Sequence, residues 1–190
     1  MPSLRLLSVD ARSYSGDRAG LAAAIGAAAP QVAFVHGAPH LARWRSLSAE
    51  IARHAGLVVV GGGRVGGANL ILSTLGIDFV SAADTLFTHN PLKPAGISVA
   101  RLRRSGTGFA VAAASLGTAA PGTDEASLRR AVSDVAELPL VLSIAGSAAN
   151  FADLGRVAAD RFVFSATVSV TSVERRDAAF VLAEVEIPAA

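Results

Sequence analysis

The residues of this chain that could do chemistry are few, and the first pattern among them is a glycine run. Residues 61–66, Gly-Gly-Gly-Arg-Val-Gly, satisfy Gly-x-Gly-x-x-Gly after an apolar segment, and Asp84 follows at about the distance of a ribose contact. A dinucleotide site would need a helix that opens at the third glycine, but any helix over 69–72 must end by Gly76. We therefore predict that these glycines form a loop between sheet strands.

Two further patterns do not support catalysis when their spacing is considered. His36 and His40 are four residues apart, but Gly37 and Pro39 between them prevent the helical turn that would align two imidazoles on one metal. Residues 145–149, Ala-Gly-Ser-Ala-Ala, lack both glycines of Gly-x-Ser-x-Gly and do not support a serine hydrolase. The absence of cysteine excludes disulfides, thiolate catalysis and cysteine-based zinc sites.

The composition predicts one domain over residues 1–190 and gives no support for binding to nucleic acid. Apolar residues make up 52% of the chain and charged residues 17%, against roughly 25% charged in average globular proteins. The net charge is only +2, and the basic residues, all arginine except Lys93, are dispersed along the chain. Electrostatic capture of phosphates needs clustered cations, so nucleic acid is not an expected partner. No signal-like segment or membrane span is visible, and we expect a cytoplasmic protein.

Hydrophobic periodicity predicts an order of strands and helices that favours two packed sheets with helices outside them. Strands are predicted at 4–9, 32–35, 57–60, 69–73, 79–88, 96–103, 109–114, 140–145, 162–165, 168–173 and 179–187. Helices are predicted at 16–29, 41–54 and 123–137, with a short helix or turn at 151–159. The run at 57–60 is apolar throughout and bounded by glycine, which is typical of an interior strand.

The element order and five local patterns resemble the endonuclease/exonuclease/phosphatase superfamily over essentially the whole chain. Among them are the first strand at 4–9, Gly-Gly-Ala-Asn-Leu-Ile-Leu-Ser at 66–73, and the closing alternation at 176–185. The resemblance implies an α/β fold, a four-layer α/β/β/α sandwich of two packed mixed sheets with helices outside. It also implies a hydrolytic site at one end of the sheets, where carboxylates hold a divalent metal and a histidine and carboxylates position water.

At most places where the resemblance implies reactive residues, this chain carries other ones. Asp10 follows the first strand in place of an asparagine, and His36-Gly37 replaces the Gln-Glu pair whose glutamate holds the metal. Ser115 stands where the family has the histidine of Asn-Thr-His-Leu. Ala178 stands where the closing strand has the histidine of Ser-Asp-His. Both histidines and the metal glutamate are therefore absent.

The central aspartate of the family's Gly-Asp-Phe-Asn pattern is missing in either possible register. If the pattern is anchored on Gly146, the aspartate position is Ser147. If it is anchored on Pro139, the position is Ala145, and Ser147 falls on the asparagine. Asn150 lies close by and is the nearest polar substitute.

These replacements predict a catalytically degenerate member of the superfamily, a pseudoenzyme retained as a binding or interaction module. We expect no catalytic residue, no metal and no other cofactor in its pocket, which should be small and neutral to acidic. The expected partner is an unidentified protein or a small polar ligand, with a homo-oligomer as a further option. The vestigial pocket is predicted to contain Asp10, His36, Ser115, Ser147, Asn150 and Asp177.

The alternative is an active enzyme, a divalent-metal-dependent phosphodiesterase or nuclease that uses relocated residues. It would rely on Asp10, His36, Asn150 and Asp177 and bind magnesium or manganese weakly, because such hard cations can be held by one or two carboxylates with water. The competing interpretation of the two aspartates is that they cap strand ends or pair with neighbouring arginines.

Overall fold

The computed structural model describes residues 1–88, 90, 92–117 and 121–188, and over these residues the chain forms twelve strands and three α-helices. The strands are β1 Ser3–Asp10, β2 Val32–His36, β3 Val58–Gly63, β4 Asn69–Ser73, β5 Asp78–Leu86, β6 Gly96–Arg104, β7 Thr107–Ser115, β8 Leu140–Ala145, β9 Arg156–Ala158, β10 Phe162–Phe164, β11 Ser169–Arg175 and β12 Phe180–Glu186. The α-helices are α1 Arg18–Ala28, α2 Trp44–His54 and α3 Pro121–Ser133, and 3₁₀ helices cover Ala11–Tyr14 and Ala149–Leu154. No helix within the described residues is both long and apolar enough to cross a membrane.

The strands form two mixed sheets of six strands each. The first sheet has the order β11-β12-β1-β2-β4-β3, and the second has the order β5-β6-β7-β8-β10-β9. At the centre of each sheet lies its one parallel pair, β1 with β2 and β7 with β8, while the other neighbours are antiparallel. The carboxyl ends of parallel strands meet at one edge of a sheet, which is where α/β folds place their ligand sites.

The four layers follow from strands that are apolar on both faces. In β1, Leu4 and Leu6 pack between the two sheets, whereas Leu7 and Val9 pack under α1 and α2. The space between the sheets contains several phenylalanines. Phe34 of the first sheet and Phe162 of the second contact each other edge-on, with their ring centroids 5.9 Å apart. A third cluster packs α3 against the outer face of the second sheet. The predicted α/β/β/α sandwich is therefore confirmed.

Local signals placed most elements correctly, and the larger differences from the predictions lie in the helices and in the segment after β8. Helix α2 begins at Trp44, three residues later than predicted. The hairpin of β6 and β7 turns at Ser105 and Gly106, both with positive φ, as predicted. Helix α3 begins two residues earlier than expected, at a proline suited to a first helical position, and ends at Ser133 because tighter turns follow. The segment predicted as one short helix or turn over 151–159 divides into a 3₁₀ helix and strand β9.

The prediction for the apolar run at 57–60 and the glycines after it was wrong in two respects. Strand β3 is an edge strand of the first sheet, and Val58 and Val59 are 38% and 42% exposed. The glycines do not all lie in a loop, because β3 continues to Gly63. A Cβ on Gly63 would overlap the ring of Trp44, and one on Gly62 would lie 2.1 Å from the Asn69 carbonyl oxygen. Glycine is needed here so that the neighbouring strand and α2 can approach closely.

Candidate functional site

A cleft of about 360 Å³ lies at the end of the sandwich where the two parallel pairs finish. We call it the basic cleft, because Arg12, His40 and Lys93 line it and its described lining residues include no acidic side chain. Ser115 from β7 and Ala145 from β8 form the wall contributed by the second sheet. This charge corrects the sequence-based expectation of a neutral-to-acidic pocket. The sequence did not indicate that the Arg12 side chain folds back towards the ends of the strands.

Asp10 forms an ion pair with Arg12 beside this cleft. The carboxylate accepts from Arg12 Nε at 2.9 Å and Nη2 at 2.7 Å, and also from the backbone N–H of the same residue at 3.0 Å. The backbone contact caps the 3₁₀ helix that follows β1 and folds the arginine back over the strand end. Burial opposes ionisation of this carboxyl, but the hydrogen bonds and charge of Arg12 hold its pKa below the usual value.

The stem of Arg12 also fills the space beside Gly37, the position at which the resemblance places the metal glutamate. A Cβ on Gly37 would lie 2.7 Å from Arg12 Cγ, and the backbone there has φ +66°. A side chain at this position would therefore need both a strained backbone and a displaced arginine. Glycine has no side-chain ligand atom, and Asp10 is already paired with a cation. These residues do not fit a divalent metal, and the described residues contain no group of three or more His, Asp or Glu side chains that could hold one.

Asp177 and Ala178 lie at the entrance to β12 and do not contribute a side chain to the basic cleft. The Asp177 carboxylate accepts from the backbone N–H of Ala179 at 2.6 Å, so it caps the start of the strand. Arg161, which is mostly buried, donates from Nη2 to the Ala178 carbonyl oxygen at 2.7 Å. The place of the family's second histidine is thus bordered by a second arginine, whose charge acts on Asp10 and His36.

His36 lies fully buried between the sheets and forms two hydrogen bonds. Its Nδ1 is 2.8 Å from Asn69 Oδ1, and its Nε2 is 2.9 Å from Ser143 Oγ, which in turn contacts Ser8 Oγ at 2.9 Å. Burial is the main cause that lowers the pKa of His36 to about 4, although the hydrogen bond with Asn69 acts in the opposite direction. Imidazole is therefore neutral at physiological pH, and it joins β2 of the first sheet to β8 of the second.

The chain Ser143–His36–Asn69 has the connectivity of a nucleophile, a base and an orienting group. All three side chains are completely buried, however, so no substrate reaches the hydroxyl without separation of the sheets. A catalytic serine must meet its substrate within bonding distance. We therefore interpret this chain as a polar tie between the sheets.

Asn69 connects this tie to the wall of the basic cleft. Its Nδ2 lies within hydrogen-bonding distance of the Gly66 oxygen at 2.6 Å, the Gly96 oxygen at 3.1 Å and Ser115 Oγ at 3.1 Å. The Ser115 hydroxyl donates to the Gly67 carbonyl at 2.9 Å. Ser115 is therefore held by an amide and a carbonyl, with no base beside it. Asn69 was not predicted as a site residue, although a polar side chain that opens an apolar strand after glycines was the available signal.

Ser147 and Asn150 lie away from the basic cleft. Ser147 Oγ donates to Asp160 Oδ1 at 2.6 Å, and Asn150 Nδ2 is 3.4 Å from Glu125 Oε1 on α3. The cleft wall carries Ala145 instead, which favours the register anchored on the proline before β8. Of the six residues predicted for the pocket, Ser115 lines the cleft, and Asp10 is paired with Arg12, which lines it. His36 is buried and is linked to Ser115 through Asn69. Ser147, Asn150 and Asp177 form contacts elsewhere.

The two mixed sheets and their outer helices define the endonuclease/exonuclease/phosphatase fold. A family protein from Bacteroides vulgatus matches with a TM-score of 0.72 at 11% identity, over 99% of this chain and 100% of that chain. One from Bacteroides thetaiotaomicron matches with a TM-score of 0.70 at 13% identity, over 98% of both chains. The mannosyl-6-phosphatase Bt3783 of the same organism has a TM-score of 0.66 at 12% identity, over 96% of this chain and 98% of that chain. No protein-family model and no curated protein matches the sequence. These likenesses therefore show the fold, and the chemistry must be argued from the site.

Proposed function

We propose that this chain is a catalytically degenerate protein of the endonuclease/exonuclease/phosphatase fold that acts as a binding module. The observation that carries the proposal is the Arg12 side chain, which is paired with Asp10 and fills the space beside Gly37. A protein cation takes the place that the resemblance assigns to a metal and its glutamate. The module has no resident metal or other cofactor, and its cellular location is the cytoplasm.

The physical argument rests on what a guanidinium cannot do. Guanidinium is charged at every physiological pH and has N–H donors but no acceptor atom. It therefore cannot remove a proton from a water molecule and cannot activate that water as a nucleophile. A hydrolase of this fold would need a metal-bound or base-activated water. His36 is a poor base for this purpose, since it is fully buried and its lowered pKa of about 4 means that it takes up a proton only weakly. Ser115 has no base among its hydrogen-bond partners.

The local charge supports the absence of a metal as well. Asp10 is neutralised by Arg12, and Arg161 adds a second positive charge whose field reaches the same carboxylate. A divalent ion placed there would displace one guanidinium and be repelled by the other. Such a cleft favours ligands that carry negative charge. The expected partner is therefore a small anionic molecule or an acidic protein segment.

The test is a thermal-shift titration with manganese and magnesium to millimolar concentration, together with assays on bis(p-nitrophenyl) phosphate and mannose 6-phosphate. Ligands that bind only the native state raise its melting temperature with occupancy. We expect a flat metal response and no turnover, with Bt3783 as the positive control for phosphate release. The double variant Arg12→Ala/Gly37→Glu removes the overlap and supplies the carboxylate, and it should bind manganese more tightly than wild type.

A different outcome would support the alternative enzyme. A saturable rise in melting temperature with manganese, together with phosphodiester turnover that Asp10→Asn removes, would identify a divalent-metal-dependent phosphodiesterase. Asn150→Ala and Asp177→Asn would then show whether the relocated residues contribute. Because these two side chains bond elsewhere, the present proposal predicts no effect from either.

Self-association through an edge strand is a second proposal for the partner. Phe79 and Val80 on β5 are each more than half exposed, and the outer edge of this strand pairs with no described strand. Such an edge can add a second copy by backbone hydrogen bonding. Sedimentation velocity should then show concentration-dependent dimers that Phe79→Lys removes, while Leu75→Lys, outside the strand, leaves them unchanged. A monomer at every concentration would refute this proposal.

A further inference from the structure

A second cavity adjoins the basic cleft and differs from it in character. This cavity, of about 320 Å³, lies between the 3₁₀ helix after β1 and the first turns of α1 and α2. We call it the apolar pocket, because its wall is formed largely by carbon atoms. The two cavities share Arg12, Gly37 and His40. The side chains that give the apolar pocket its character are Tyr14, Leu21, Leu41, Leu47 and Ile51.

Arg12 lies at the boundary between the two cavities, and part of its guanidinium remains available to an anion. Guanidinium carries five N–H donors, and Asp10 engages two of them, which leaves three. The ion pair holds the side chain in place, so less conformational freedom is lost when a ligand binds. Lys93 adds a second cation to the basic cleft, and Ser115 adds a hydroxyl.

The apolar pocket supplies burial that a simple inorganic anion would not use. Leu21 and Ile51 form its buried floor, while Leu41 is 54% exposed at its rim and Leu47 is half-buried. Both cavities fall near the lower end of the size range of small-molecule sites, which combine an apolar wall with a few polar groups. The volume therefore favours a small ligand over an extended polymer.

We propose that the basic cleft and the apolar pocket form one site for a small organic anion with an apolar body. This inference rests on the proposed function, because it names the ligand class of a binding module. The anionic head group contacts Arg12 and Lys93, and the apolar body lies against Leu41, Leu47 and Tyr14. Carboxylate and phosphate heads share the chemistry that Arg12 recognises, and the apolar body sets the affinity beyond that of the head alone.

The experiment is isothermal titration of the full chain with octanoate, octyl phosphate, inorganic phosphate and octanol, each below the concentration at which it self-associates. We expect both amphiphilic anions to bind at least tenfold more tightly than inorganic phosphate or octanol. Tenfold corresponds to the burial of about two methylene groups. The ratio of octyl phosphate to octanoate then identifies the preferred head group.

Three variants separate the parts of the site. Arg12→Gln should weaken both anions at least tenfold without changing octanol, and Leu41→Ser should weaken them without changing inorganic phosphate. Arg53→Gln is the matched control, since this exposed arginine at the end of α2 lines neither cavity. Circular dichroism confirms that each variant is folded, and the exposed position of Leu41 makes its replacement safe for stability.

Two outcomes would overturn the inference. One is equal affinity, or no affinity, for all four probes. The other is an identical response of Arg12→Gln and Arg53→Gln. Failure here is distinct from failure of the proposed function, which metal-dependent turnover would refute. An active phosphodiesterase that also binds octanoate would refute the proposed function and leave the binding site standing.

Discussion

The buried imidazole of His36 makes the stability of this fold depend on pH in a definite direction. Its pKa is about 4 in the folded chain, against an ordinary value near 6.5 that applies when the chain unfolds. Between these values the unfolded state binds more protons, so the free energy of unfolding falls as the pH is lowered. The full difference corresponds to roughly 3 kcal/mol, lost progressively from about pH 6.5 to pH 4.

Urea unfolding at pH 7 and pH 5 measures this effect where few other groups contribute. The expected loss between these two pH values is about 2 kcal/mol, which lowers the urea midpoint by roughly 0.6 to 1 M for a chain of this size. Asp10 also has a lowered pKa, but its carboxylate loses its stabilising charge only on acidification below about pH 4. Its contribution therefore lies outside the measured window.

The control is His36→Gln, a neutral side chain that keeps some hydrogen-bonding capacity. This variant should be less stable at pH 7, because the contacts with Asn69 and Ser143 are weakened, yet its midpoint should change little between pH 7 and pH 5. The remaining histidines are present in both proteins and cancel in the comparison. Equal pH dependence in wild type and variant would refute the assignment to His36.

Three other predictions concern packing within and between the sheets, and urea unfolding at pH 7 tests each of them. Gly62→Ala should destabilise by roughly 3 kcal/mol or more, because the added Cβ meets backbone and φ is +99°, whereas Gly76→Ala, in open space, should stay within about 0.5 kcal/mol; equal effects would contradict the steric argument. Phe34→Ala should lower the free energy of unfolding by about 3 to 5 kcal/mol, because it leaves a cavity between the sheets. Phe79→Ala, at a half-exposed position, should lower it by less than about 1 kcal/mol, and equal losses in the two variants would contradict this prediction. Asn69→Asp should cost roughly 3 kcal/mol or more, since a carboxylate oxygen would face carbonyl oxygens where Nδ2 now donates; a neutral result would show that these contacts contribute little.

Most of the fold could be predicted because its strands carry their own signal. Strand β1 has four leucines and valines among its eight residues, and they fall on both faces, as expected when both faces are covered. Asp17 and Pro30 bracket α1. The same signal could not place β3. Its apolar run predicts burial on both sides, but whether a strand lies at the centre or the edge of a sheet depends on pairing with distant segments. The exposed valines of β3 show that local composition does not determine this order.

The site was only partly predictable, for a related reason. Asp10 could be placed at a strand end from the sequence, and its carboxylate does lie beside the cleft. Arg12 follows only two residues later, but its direction depends on a 3₁₀ helix that no simple pattern predicts. Arg161 comes from the second sheet and reaches the turn before β12 only in the folded chain. The prediction for Ser147 was wrong because the two possible registers differ by two residues. Ala145, the last residue of β8, takes the cleft position, whereas Ser147 lies beyond the end of the strand and donates to Asp160.

Under the proposed function, Arg12 takes the place of a metal ion, and such an exchange would remove some capacities of the site and keep others. Guanidinium retains positive charge and directed hydrogen bonds, so an anion can still be attracted and oriented. Guanidinium has no open coordination position and does not lower the pKa of a bound water, so under this proposal the attracted anion would meet no metal-activated nucleophile. The cation is also covalently attached and cannot be removed by a chelator. Anion binding by this chain should therefore persist in the presence of EDTA and weaken with rising salt, whereas a metal-dependent site would lose its ligand when the metal is removed.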